Sequence, residues 1–326
     1  MEYVYLGILI FIFGLAIFDL IIGVSNDAVN FLNSAVGAKT ASFKVILGLA
    51  AIGVFFGAAT SNGMMDVARH GIFQPQYFTF VEIMCILMAV MVTDVILLDT
   101  FNSLGMPTST TVSLVFELLG GTVALAMIKS IASEGALTFG EMINTDKVLT
   151  VVLGIFLSIA IAFFFGLLIQ WITRVIFTFN YKRNLKWFAG IFGGIATTAI
   201  IYFMLFKGLK DSSFMTPENK QWINENTGQL LVYVFLGSGV LMQILHWCKV
   251  NIFKIVVLMG TFSLAMAFAG NDLVNFIGIP LTSLATYQDY MANGQGVGMD
   301  VFTMDSLNGP ANTPILFLLG AGAIMV

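Results

Sequence analysis

Long apolar stretches recur along this chain and restrict its fold more than any other feature of the sequence. They are long enough to cross a bilayer as helices at residues 3–22, 80–98, 111–131, 149–173, 186–206, 229–247 and 251–269, and a shorter stretch covers 45–60. Only 10% of the 326 residues are charged, and 58% are hydrophobic. The composition and these stretches predict an all-α polytopic membrane protein.

The first apolar stretch is expected to be retained as a span. It has Glu2 in place of the basic residues that begin a signal peptide, and it leads to Asp19 rather than to a cleavage site. A last apolar stretch begins near Pro314 and is still apolar at Val326, so we expect the chain to be cut off inside a helix.

One short polar motif occurs twice, each time at the end of an apolar stretch. Residues 25–31 read Ser-Asn-Asp-Ala-Val-Asn-Phe, and residues 270–276 read Gly-Asn-Asp-Leu-Val-Asn-Phe. Polar and ionisable residues are costly inside a membrane and usually mark a transport pathway. An Asn-Asp pair that occurs twice on one scaffold is typical of a transporter built from two related halves.

The basic residues indicate how the spans are oriented. Three connections contain lysine or arginine but no acid, at residues 39–44, 174–186 and 249–254, which predicts that they are cytoplasmic. Eight spans up to Asp272 then place the N-terminus outside and the two Asn-Asp motifs on oppositely directed helices. This is the geometry of an inverted repeat. If residues 45–60 formed a re-entrant segment instead of a span, the repeat would be parallel.

The residue types around the first motif predict a broken or re-entrant helix. Gly23 loosens a helix, and Ser25, Asn26 and Asp27 prefer helix ends to helix interiors. A break would leave N–H groups at the start of the new helix for an anion, and carbonyl groups at the end of the old helix for a cation. The alternative interpretation is a kinked packing helix with buried amides.

A second motif, Gly-Met-Pro-Thr-Ser-Thr-Thr at residues 105–111, precedes the apolar stretch at 112–128. Proline suits a first helical turn, and the neighbouring hydroxyl groups crowd that same turn. Hydroxyl and backbone N–H groups together make a donor-rich cup suited to a tetrahedral oxyanion. A plain helix cap is the alternative, and the motif on its own does not decide between the two.

Together these residues resemble the inorganic phosphate transporter (PiT) family. That family carries a Gly-Ala-Asn-Asp-Val-Ala-Asn type signature in each half and a Pro-x-Ser-Thr-Thr type motif after it. Here the signatures read Gly-Val-Ser-Asn-Asp-Ala-Val-Asn at 23–30 and Ala-Gly-Asn-Asp-Leu-Val-Asn at 269–275, with mild departures such as Ser25. The resemblance implies a cation-coupled phosphate symporter with two inverted repeats, often dimeric, with Na+ as the coupling ion in many members and H+ in others.

The resemblance and the motif spacing divide the chain into three parts. Residues 1–131 would be the first repeat, 132–250 linking transmembrane helices with an external polar loop at 207–228, and 251–326 the start of the second repeat. Asp27 precedes Ser109 by 82 residues, and the same distance after Asp272 lies beyond Val326. The second Ser-Thr motif is therefore expected in a C-terminal part that this sequence does not contain.

A charge argument gives the expected roles at the site. Neither signature contains lysine or arginine, so two carboxylates would repel phosphate unless cations bind there too. Phosphate is expected at Ser109, Thr110, Thr111, Asn26 and Asn271, and Na+ at Asp27 and Asp272 with Asn30 and Asn275. Anion binding that requires cation binding gives coupled transport. No cofactor is expected besides the coupling ion, Na+ or H+.

Other acidic residues lie in or beside apolar stretches, where a charge costs at least ~2.5 kcal/mol on insertion scales. They are Asp19, Glu82, Asp94, Asp99 and Glu117. Some of them should face the transport cavity. We expect Glu82 and Asp94 to share a helix face and to assist a cation site, and the alternative is an interfacial position or hydrogen bonds to serine and threonine.

The sequence favours symport of inorganic phosphate by alternating access, with Na+ favoured over H+. A carrier of another oxyanion such as sulfate, or an anion channel, remains as an alternative. An enzyme is disfavoured, because the chain has no His-Glu-x-x-His or Gly-x-Ser-x-Gly motif. The expected location is a bacterial plasma membrane, with the lipid bilayer around the chain, a possible homodimer, and no nucleic-acid partner.

Overall fold

The computed structural model describes residues 2–61, 67–134, 137–178, 181–205, 216–309 and 314–326, and these form a bundle of helices. The helices are α1 (Glu2–Gly37), α2 (Phe43–Thr60), α3 (Phe80–Ser103), α4 (Thr110–Ala132), α5 (Phe139–Met142), α6 (Thr145–Phe177), α7 (Tyr181–Phe203), α8 (Pro217–Trp247), α9 (Ile252–Asn293) and α10 (Ile315–Met325). Within the described residues, all of these except α5 and α10 are long and apolar enough to cross a membrane, which gives 8 candidate spans. The prediction of an all-α polytopic membrane protein is confirmed.

Helix α1 runs without interruption through the first signature, and the backbone of α9 is helical through the second. The predicted helix break at the signatures is therefore wrong. Serine, asparagine and aspartate each cost at most ~0.7 kcal/mol in a helix interior, and the apolar residues on both sides continue the helix. Non-helical backbone near the signatures lies instead between α3 and α4, at residues 104–109.

Helices α1 and α9 run antiparallel, and the two signatures lie where they cross. Phe31 packs on Phe268 with ring centroids 5.9 Å apart, and Gly23 lies directly against the ring of Phe276. Residue numbers therefore rise along one helix as they fall along the other. The expectation of oppositely directed motif helices is confirmed, and it is the arrangement that an inverted repeat requires. The bounds of the three predicted parts stay predictions.

Two glycines let α2 pack closely on α9. A Cβ added at Gly57 would stand 2.1 Å from the carbonyl oxygen of Met266, and one added at Gly53 would stand 2.7 Å from that of Phe262. Just after α2, Ser61 Oγ donates to the carbonyl of Gly270 at 2.7 Å. The segment around 45–60 is thus a helix of spanning length that packs against the second signature helix.

The connections that the distribution of basic residues places on the outer side of the membrane contact each other. The N–H of Gln74, between α2 and α3, donates to the carbonyl of Met142 at 2.9 Å, and the N–H of Phe80 donates to the carbonyl of Phe302, after α9, also at 2.9 Å. These contacts agree with a topology in which the connections before α3, after α4 and after α9 share one membrane side.

The linking helices α6 to α8 pack together with the start of α9 around Phe177, Ala189, Met242 and Ile252. A Cβ added at Gly193 on α7 would stand 2.6 Å from Met242 Cγ on α8, so small residues set this contact. None of the most apolar window of α6 is buried inside the described protein. Its apolar surface suits contact with lipid.

The polar segment expected as an external loop at 207–228 is partly helix, because α8 begins at Pro217. Proline fits the first helical turn, and the side chain of Thr216 accepts the N–H of Asn219 at 3.3 Å as an N-cap. Glu218, Lys220 and Gln221 in the first turns are good helix formers, so hydrophilicity did not indicate a loop here. Residues 206–215 lie outside the described residues.

Candidate transport site

Asn26 on α1 holds the non-helical backbone between α3 and α4. Its Nδ2 donates to the carbonyl of Met106 at 3.1 Å, and its Oδ1 accepts the N–H of Thr108 at 2.9 Å. Asn26 is only 5% exposed. Backbone groups outside a helix lack intrahelical partners, and an asparagine amide offers both a donor and an acceptor. The first signature and the Ser-Thr motif are therefore joined directly.

The second signature reaches the same segment from α9. Nδ2 of Asn275 donates to Oγ1 of Thr111 at 2.8 Å, and Asn275 is 4% exposed. Both signatures thus converge on residues 105–111, at the start of α4. The structure brings together the three motifs that the sequence singled out.

Asp27 follows Asn26 on α1 and is 6% exposed. Nδ2 of Asn30, one turn later, donates to Oδ1 of Asp27 at 3.4 Å. A cavity of about 20 Å³ borders Asp27 and is otherwise lined by apolar residues of α1, α2, α9 and α10. That volume is enough for one particle the size of a water molecule. A buried carboxylate beside such a space is suited to a small desolvated cation.

The hydroxyl groups of the Ser-Thr motif take different positions. Ser109 is the N-cap of α4, where its Oγ accepts the N–H of Val112 at 3.4 Å. It is exposed and lines a cavity of about 820 Å³ between α3, α4 and α6. Capping uses a lone pair of the hydroxyl, so its hydrogen can still be donated to an anion. Thr110 is 1% exposed, and the hydroxyl of Thr111 is engaged by Asn275.

The side chains of Asn271 and Asp272 lie outside the described part of the structure. Their backbone is helical, within α9. The antiparallel crossing of α1 and α9 places that backbone opposite the first signature. Their expected roles stay predictions.

Glu82 and Asp94 do not share a site, so that expectation is wrong. Glu82 Oε2 lies 2.7 Å from Lys129 Nζ and also accepts the N–H of Thr79 at 2.8 Å, which caps the start of α3. Twelve helical residues advance by about 18 Å and leave the two side chains about 120° apart around the axis. Asp94 lies beside Ser113 instead.

Ser113 is a residue that the sequence analysis missed. Its Oγ lies 2.9 Å from Asp94 Oδ1 and 2.7 Å from Glu117 Oε1. Residues four apart are neighbours on a helix surface. A serine four residues before a glutamate in an apolar helix was therefore the signal that could have identified this pair.

The fold and the convergence of polar motifs inside an apolar bundle define a multi-pass membrane transporter. Residues 23–326 match the family model described as "PHO4: Phosphate transporter family", and the chain belongs to this family. The resemblance noted from the signatures is confirmed.

Among solved structures, the chain is similar to one described as "The sodium-dependent phosphate transporter". The TM-score is 0.70 and the identity 19%, over 98% of this chain and 74% of that chain. At this identity the likeness shows the fold. No curated protein matches the sequence.

Proposed function

We propose that this protein carries inorganic phosphate across the membrane by cation-coupled symport with alternating access, and that Na+ is the coupling ion. The observation that carries the proposal is the convergence of both signatures on the Ser-Thr segment through Asn26 and Asn275. Membership of the phosphate transporter family supports the substrate. The similar solved structure is that of a sodium-dependent phosphate transporter, which supports Na+. Family and fold also support a non-enzymatic protein.

The start of α4 is the proposed phosphate site. Ser109 has a hydroxyl group at the edge of the larger cavity, and the first turn of α4 adds the positive end of a helix dipole. Thr110 and Thr111 complete the hydroxyl cluster in the proposal. Asn26 and Asn271 are its proposed amide contributors, and in the described geometry Asn26 acts by fixing the backbone at Met106 and Thr108.

The proposed cation sites are the two signature carboxylates. Asp27 has the small adjoining cavity and Asn30 beside it. Asp272 and Asn275 are the corresponding residues of the second signature, and Asn275 reaches Thr111 at the proposed phosphate site. A cation at either carboxylate would therefore lie close to the anion.

Charge explains why the two solutes should move together. Neither signature nor the segment 105–111 contains lysine or arginine. Two like charges about 4 Å apart near a protein surface repel by about 4 kcal/mol, so phosphate binds poorly beside a bare carboxylate. A bound cation removes this repulsion, and by linkage phosphate also strengthens cation binding.

Location and assembly are proposed from the sequence alone. An N-terminus on the outer side follows from the distribution of basic residues, and the plasma membrane is the proposed location. A homodimer follows from the family resemblance and stays a prediction. Transport of sulfate or conduction through an anion channel is the competing function.

Equilibrium binding of radiolabelled phosphate to the purified protein tests the proposal. Phosphate should bind in NaCl and bind at least tenfold more weakly in choline chloride of equal ionic strength, because choline cannot enter a cavity of about 20 Å³. Sulfate at the same concentration should not displace it. Equal binding in both salts would contradict Na+ coupling, and equal displacement by sulfate would favour a less selective oxyanion carrier.

Replacing Asn26 by aspartate should weaken phosphate binding by about tenfold or more. The change removes the Nδ2 donor to Met106 and places a carboxylate oxygen against the Met106 carbonyl, and losing a hydrogen bond of this kind costs about 1–3 kcal/mol. The measurement is the Kd for phosphate in NaCl. Asn33→Asp, at an exposed position on the same helix, is the matched control and should bind normally. An unchanged Kd in folded Asn26→Asp protein would contradict the role of this amide.

A further inference from the structure

Three carboxyl groups and one hydroxyl group meet inside the bundle, apart from the signatures. Asp19 lies on α1, Asp94 on α3, and Ser113 and Glu117 on α4. Asp19 is 0% exposed and Asp94 is 1% exposed. The carboxyl of Asp19 faces those of Asp94 and Glu117. These residues join the three helices at a point that the proposed phosphate and Na+ sites do not use.

The single hydroxyl hydrogen of Ser113 cannot be donated to both of the carboxyl groups that Ser113 contacts. Its Oγ lies at hydrogen-bond distance from Asp94 Oδ1, at 2.9 Å, and from Glu117 Oε1, at 2.7 Å. A hydroxyl group has one hydrogen, and an ionised carboxylate has none to donate. Both contacts are hydrogen bonds only if one of the two carboxyl groups carries a proton and donates it to Ser113.

The surroundings of Asp19 independently indicate that one carboxyl group of the cluster holds a proton. Neither of its oxygens receives a hydrogen bond from a donor group, although the residue is fully buried. The polar group that it faces is the carboxyl of Asp94. Two carboxyl groups can bond to each other only when one of them holds a proton. Oε2 of Glu117 is also buried without a hydrogen-bond donor.

No positive side chain among the described residues compensates these acids. The three carboxyl groups interact electrostatically with one another, and Asp94 and Glu117 also form hydrogen bonds with Ser113. Lys129, on α4, is paired with Glu82. No electrostatic interaction joins the cluster to the other charged side chains described within α1, α2, α3 and α9, which are Asp27, Lys44, Asp99, Lys254 and Asp289.

The three carboxyl groups are also not arranged as a cluster of acidic metal ligands among the described residues. Across the described part of the chain, no group of three acidic, histidine or cysteine side chains has a geometry that could hold a metal ion. Like-charged carboxyl groups that share a buried site cannot all ionise together. The oxygen–oxygen distances of 2.9 and 2.7 Å at Ser113 are those of hydrogen bonds, which a bound proton completes.

We propose that Asp19, Asp94 and Glu117 form a proton-binding site, bridged by Ser113 and separate from the cation site at Asp27. The proton comes from water as hydronium and converts one carboxylate into a carboxylic acid. Ser113 and Glu117 line the same cavity of about 820 Å³ as Ser109, so this cavity is the route by which the proton enters. The site does not depend on the proposed function.

Infrared spectroscopy of the protein reconstituted in lipid tests the site without any transport. A carbonyl band of unionised carboxyl groups should be present at pH 7 and should shift in D2O. Part of that band should be lost in Glu117→Gln and in Asp94→Asn, and its frequency should move in Ser113→Ala. Asp99→Asn, which removes an exposed acid from α3, should leave the band unchanged.

Absence of a protonated-carboxyl band at pH 7, or a band that none of the cluster variants alters, would overturn the proposal. Size-exclusion profiles of each variant show whether it is folded, and Ser113→Ala, which removes no carboxyl, keeps the test valid if an acid variant fails to fold. A band that responds as described would support the site even in a protein that moves no phosphate. The failure of the proposed function would thereby be seen separately.

Discussion

Replacing Asp27 by asparagine should abolish Na+-driven phosphate uptake while the folded protein remains in the membrane. Asparagine keeps the size of the side chain but removes the charge that would hold a cation beside the cavity of about 20 Å³. If no cation binds at this position, Na+ no longer strengthens the binding of phosphate. We expect initial uptake in proteoliposomes to fall by roughly 100-fold or more, at the upper end of measured coupling free energies.

Asp99→Asn is the control for this experiment, because it removes an acid that is exposed on α3. Its uptake should resemble that of the unaltered protein. Uptake by Asp27→Asn at the normal rate, with the same dependence on Na+, would remove Asp27 from the mechanism.

Replacing Gly57 by valine should severely destabilise the protein. Even the first carbon of a side chain would stand 2.1 Å from the carbonyl oxygen of Met266. The obstacle is helix backbone, which cannot rotate aside as a side chain can. Helices α2 and α9 would have to separate, and overpacking of this kind costs about 1–3 kcal/mol or more. The displacement would also disturb the bond from Ser61 to the carbonyl of Gly270.

The measurement is the melting temperature of the purified protein in detergent, together with phosphate uptake. Gly48→Val is the matched control, because it lies on the same helix and an added Cβ there meets nothing within 4 Å. We expect a clear loss of thermal stability in Gly57→Val and little change in Gly48→Val. Equal melting temperatures for the two variants would show that the α2–α9 contact is looser than described.

The spans were predictable because the bilayer imposes a length on apolar helices. All eight predicted spans correspond to helices of the structure. The ends were less predictable, since the Thr216 cap and the helix formers Glu218 and Lys220 extend α8 into a polar segment. The signature helices were predicted to break from local preferences, but those preferences are weak and the structure continues α1 through Asn26.

The candidate site was predictable as a set of motifs but not as a set of contacts. Repetition identified the signatures, and proline with its hydroxyl neighbours identified the start of α4. The two hydrogen bonds from Asn26 to the backbone at Met106 and Thr108 depend on tertiary packing, because these residues lie 80 and 82 positions away in the sequence. The cluster around Ser113 could not be predicted, because it forms only when α1, α3 and α4 pack together. Nothing in the sequence near Asp19 or Asp94 indicates that these acids lie close to α4.

The most direct test of the central claim is uptake of radiolabelled phosphate into proteoliposomes that contain the purified protein. An inward Na+ gradient, an inward proton gradient, or neither would be imposed, with the membrane potential clamped. Symport predicts that phosphate accumulates above its external concentration with the Na+ gradient and only equilibrates without any gradient. Equilibration alone under every condition, in vesicles shown to hold folded protein, would contradict coupled transport and favour a channel.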